Sequence, residues 1–64
     1  MRLTEYIRLS LEEKIELLSQ DGEFIGMNGN YKEVYHIYSF YVTVNIGKKE
    51  EINSVYATFT KPEI

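Results

Sequence analysis

His36 is the chain's only imidazole, and no cysteine accompanies it. A histidine works as a general base when a nucleophile and an orienting carboxylate stand beside it. No motif around Tyr35-His36-Ile37 supplies them, and a strand histidine on a half-exposed face accounts for the residue equally well. A structural zinc needs four nitrogen or sulfur ligands, which one imidazole without thiolates does not provide. Glu12, Glu13 and Glu16 crowd one stretch of chain. Carboxylates divide acid and base roles only where their environments push the two pKa values apart. These three fall on the polar side of an amphipathic helix near its N-terminal end, where the macrodipole favours negative charge. Gly22, Gly26 and Gly29 fit neither the dinucleotide fingerprint nor the P-loop, and no helix follows them. Gly22 and Gly29 read as turn formers, and Gly26 as a bulge or a close backbone approach. No catalytic residue, cofactor or metal site is expected, and the chain reads as a non-enzyme.

Tyrosine is the unusual residue. The chain has 6 of them in 64 residues, and Tyr31, Tyr35, Tyr38 and Tyr41 fall close together. If Val42 and Val44 face a helix, Tyr41 and Thr43 point the other way. The sheet is therefore expected to carry an aromatic, weakly polar outer face. Tyrosine suits a protein interface there, because it brings large area at low entropy cost and a hydroxyl for the rim. High β-propensity is the plainer account of the same residues. Tyr31, Tyr35, Tyr41 and Thr43 are the candidate interface, as hydrophobic anchors with polar rims.

The elements that must position these residues follow from spacing. Leu3, Ile7, Leu11, Ile15 and Leu18 recur every three or four positions, one face of an α-helix, and Tyr6 and Leu17 broaden it. Ser10-Leu11-Glu12-Glu13 also reads as a capping box. Either one helix runs from Thr4 to about Gln20, or a short helical turn leads to a second helix capped by Ser10; a break near Leu9-Ser10 is favoured. Asp21-Gly22 ends the helix, with glycine free to adopt the left-handed conformation. Beyond it the period becomes alternating. Glu23–Met27 is a first strand, Asn28-Gly29 a type I′ hairpin signal, and Tyr31–Tyr38 a second strand. Phe40–Ile46 alternates most clearly, a charged turn follows from Gly47 to Glu51, and Ile52–Thr60 is the last strand. Lys61-Pro62-Glu63-Ile64 is expected to fray. Short connections favour a meander. The fold class expected is α+β: an N-terminal amphipathic helix, broken near Ser10, packed on a three- to four-stranded antiparallel sheet, with residues 1–64 as one small domain.

Composition bounds the partners. A chain this short buries only about 60% of the surface it exposes when unfolded, and without cysteine no disulfide supplements the core. Oligomerisation, a homodimer for instance, is one way to complete it. Net charge is −3, with 7 basic against 10 acidic residues and neither half basic, so the footprint of a nucleic-acid binder is missing. No apolar run reaches the length of a membrane span. The N-terminus lacks a secretory signal's apolar stretch, and a cysteine-free chain suits the cytoplasm.

Leu3-Thr4-Glu5-Tyr6-Ile7, Leu11-Glu12-Glu13-Lys14, Gly22-Glu23-Phe24-Ile25 and Ser39-Phe40-Tyr41-Val42 carry a resemblance. In this layout the chain resembles a group of short, uncharacterised bacterial proteins that open with a similar helix and carry an aromatic strand mid-chain. The resemblance spans most of the chain and implies no activity, so it assigns no catalytic or binding residue. Beside those look-alikes the chain is expected to stop early, at Ile64, which leaves open an outer neighbour for the last strand. The function expected is a protein-binding or self-associating module that uses the tyrosine-rich outer face or a sheet edge. The alternative is a small acidic inhibitor or modulator of a host enzyme, of mobile-element origin, motivated by size and negative charge.

Overall fold

The computed structural model describes residues 1–64. Two helices, α1 (Leu3–Ile7) and α2 (Leu11–Asp21), precede four strands: β1 (Glu23–Met27), β2 (Lys32–Ile37), β3 (Phe40–Ile46) and β4 (Ile52–Thr58). The strands form one sheet in the order β1-β2-β3-β4, antiparallel throughout, the meander that short connections favour.

The helical segment does break at Ser10. The Glu13 N–H donates to Ser10 Oγ at 3.1 Å, and the Ser10 N–H donates to Glu13 Oε1 at 3.1 Å, the reciprocal pair of a capping box. The break resets the helical phase. Tyr6 and Leu18 are buried, whereas Ile7 and Leu11, which a single stripe would have turned inward, are exposed. The Tyr6 hydroxyl donates to the Lys14 carbonyl at 3.0 Å and so clamps α1 onto α2. Gly22 ends α2 in an extended conformation (φ −82°), not the expected left-handed one. Its reason is space, since a Cβ there would stand 2.7 Å from the Leu18 carbonyl oxygen.

Register decides which residues share a face. Tyr35 pairs with Val42 and Val42 with Ala57, Glu33 with Val44 and Val44 with Val55, and Ile37 with Phe40. Ile37, Phe40, Val42, Val44 and Val55 join Tyr6 and Leu18 in the core, so this inner face carries the helices. Tyr6 and Phe40 meet at its centre with ring centroids 5.3 Å apart. The expected Asn28-Gly29 two-residue turn is replaced by a longer loop, closed by the Asn28 N–H donating to the Lys32 carbonyl at 2.8 Å. A turn centred on Asn28-Gly29 would set Phe24 opposite Glu33; the observed register pairs Phe24 with Tyr35 instead, rings edge-on with centroids 5.6 Å apart. β2 and β3 join through Tyr38-Ser39, with Tyr38 at φ 54° and its hydroxyl donating to Asp21 Oδ2 at 2.7 Å.

The tail is not frayed. A Cβ on Gly26 (φ +148°) would collide with the Ile64 side chain, so Ile64 lies directly on β1. Thr58, where β4 ends, stands three strands away, a gap of about 14 Å at ordinary strand spacing. Residues 59–64 are long enough to span that gap, at about 3.3 Å each. They cross the outer face, and this accounts for the burial of Val34 (0% exposed) and Thr43 (3%), which pair with each other on the side away from the helices.

Candidate functional site

The four residues expected to form one interface are placed apart. Tyr41 lies on the outer face, half-buried, its ring against His36 with centroids 5.2 Å apart. Thr43 shares that face but is buried beneath the tail's path, leaving no surface to offer a partner. Tyr35 lies on the opposite, helix-bearing face, where its hydroxyl donates to Glu33 Oε1 at 2.9 Å. Burial first, and then the hydrogen bond and negative charge of Glu33, push its phenol up to about 12. Tyr31 is exposed just before β2, where its carbonyl accepts from the Ile46 N–H at 2.8 Å and its side chain lines a groove with Glu33, Ile46 and Ile52. In and beside β2 the set Val34, His36 and Tyr38 and the set Tyr31, Tyr35 and Ile37 are both partly apolar, and the pairing of Tyr35 with Val42 assigns Tyr35 to the helix-bearing face.

Surface concavities cluster at the loop end of the sheet. Two grooves, of about 520 and 660 Å³, flank Tyr31, one running to the Gly47–Ile52 turn and the other to Asn45, Asn53 and Ser54. A smaller apolar notch of about 150 Å³ lies between α2 and the sheet, lined by Ile15, Leu18, Tyr35, Val44 and Ile52. His36 contacts Tyr41 and makes no hydrogen bond to Glu23, its cross-strand neighbour. No cluster of three or more His, Asp or Glu is placed to hold a metal ion. No helix is long and apolar enough to cross a membrane.

The two sheet edges differ. β1 carries a charge at Glu23, a bulge between Phe24 and Gly26, and Ile64 laid over Gly26. Bulges, charges and covering segments are the devices that blunt an edge against unwanted pairing. β4 has no charge and, from Ser54 to Thr58, no bulge, while α1 and α2 contact it from the inner face. Between Glu51 and Lys61 the chain carries no charged residue, no proline and no glycine. After an irregularity near Ile46, Ser54 to Thr58 pair residue for residue with Asn45 to Tyr41. Ile52, Asn53, Ser54 and Tyr56 are exposed, and no backbone–backbone turn, loop or cap hydrogen bond involves residues 52–58. The backbone N–H and C=O groups of β4 that point away from β3 therefore have no strand neighbour, beside exposed Tyr56. The uncharged run Ile52–Thr60 was the signal in the sequence. The meander order expected from the short connections makes it an outer strand.

Comparison with known families, curated proteins and solved structures returned no match. The N-terminal helical region and the four-stranded antiparallel sheet stand as an α+β fold on their own geometry.

Proposed function

We propose that this chain is a non-enzymatic binding module that captures an extended protein segment along β4, adding it to the sheet as a fifth strand. The observation that carries this reading is that β4 is an uncharged outer strand of the sheet with Ser54 and Tyr56 exposed along it. In strand addition, main-chain hydrogen bonds give affinity and side-chain pockets give preference. The segment it suits is itself uncharged and β-prone, because Tyr56 and Ser54 offer an aromatic and a hydroxyl but no charge to pair. Of the two surfaces expected from the sequence, the outer face or a sheet edge, this reading takes the edge. The edge replaces the tyrosine face, whose centre the tail crosses. A synthetic peptide of the sequence Ile52–Thr60 is a suitable strand donor. Titrated into isotope-labelled protein, it should shift the amide resonances of Ser54 to Thr58 and spare those of Glu23 to Met27. Shifts confined to β1, or none at all, would remove the reading.

A further inference from the structure

We infer that the strand β4 captures is β4 of a second copy, giving a two-fold dimer with one continuous eight-stranded sheet. This rests on the strand-capture reading and names its partner. A two-fold contact brings the same patch together twice, so the patch must tolerate itself. Most edges fail that requirement, because a charge meets its own copy or a near neighbour of like sign. Ile52 to Thr60 carry no charge, so antiparallel pairing within that run sets no like charges opposite, whatever the register. Paired about Val55, each Tyr56 lies across from Ser54 of the second copy; paired about Tyr56, the two rings meet. Either arrangement draws Tyr56, 48% exposed, into cross-strand contact. β1 is a poor competitor, since its bulge and the overlying Ile64 interrupt the ladder.

The geometry also limits the strength. A seven-residue edge is about 24 Å long, and its pairing buries well under the ~800 Å² per partner of a standard stable interface. The dimer is therefore weak and dissociates on dilution.

Sedimentation velocity of the full chain over a roughly hundredfold dilution series reads that equilibrium. The wild type should move from dimer toward monomer, with amide shifts at Ser54 to Thr58 tracking concentration. Ser54→Lys with Tyr56→Lys should weaken association roughly tenfold or more while leaving far-UV circular dichroism unchanged. Phe24→Lys, on β1, should leave association intact. Ser54→Lys alone carries the same test if the double variant unfolds. A wild type that stays monomeric at its highest concentration overturns the dimer, as does a folded lysine variant that associates like wild type. So does loss of association in Phe24→Lys. If the Ile52–Thr60 peptide still binds β4 of a monomeric chain, strand capture stands and only the second copy falls. If neither occurs, both are withdrawn.

Discussion

Tyr6 is fully buried, yet its hydroxyl is satisfied by the Lys14 carbonyl. Burial, with a smaller contribution from Tyr38 nearby, pushes its phenol from 10.0 up to about 12. A raised folded-state pKa on an acid means the fold prefers the neutral phenol. The corresponding stability is complete below pH 10, the unfolded value, and is lost as pH rises through about 12. Two units correspond to roughly 3 kcal/mol as an upper bound. Tyr35, also raised to about 12, acts in the same window. Tyr6→Phe should cost about 1 kcal/mol at neutral pH through the lost hydrogen bond. At strongly alkaline pH, around and above 12, the order should invert, because phenylalanine has no phenol to ionise. Urea unfolding of both proteins across that range checks it, and parallel pH profiles would contradict the burial argument. None of this was legible in the sequence, where Tyr6 only broadened an apolar stripe.

At the scale of the element, Ser10 separates two readings of one helical pattern. The stripe Leu3, Ile7, Leu11, Ile15, Leu18 is compatible with a continuous helix, and the capping box is not. The box prevails because it satisfies two backbone N–H groups at once, and because the break lets Tyr6 reach Phe40. Ile7 and Leu11 are left in solvent as a result. Ser10→Ala should destabilise the protein by about 1 kcal/mol. Hydrogen exchange should quicken first at the Glu13 amide, which loses its acceptor; unchanged exchange there would mean the cap contributes nothing. Strand existence was readable from alternation, since period two is a local property. Turn geometry at Asn28-Gly29 was not, because the register is fixed by the cross-strand contact of Phe24 with Tyr35.

At the scale of the whole molecule, the tail ties the two edges of the sheet together. It leaves β4, crosses the outer face and ends with Ile64 on Gly26 of β1. Gly26→Ala should therefore destabilise on two counts, the positive φ and the collision with Ile64, by about 1–3 kcal/mol together. Ile64→Ala in the same chain should relieve the collision and leave the backbone strain. A double-mutant cycle by thermal or urea unfolding should then show favourable coupling of at least ~0.5 kcal/mol. Strict additivity would mean that the tail does not rest on Gly26.

From the sequence alone follow the α+β class, the helical region before the sheet, a favoured break near Ser10 and three to four strands in meander order. These follow from local periodicity, caps and short connections. The tertiary structure decided which tyrosines share a face, that Thr43 is hidden, and that β4 rather than the tyrosine face is left open. Each of those depends on register and on a tail returning from the far side of the sheet. Both are long-range relations, set by packing between residues that no local pattern connects.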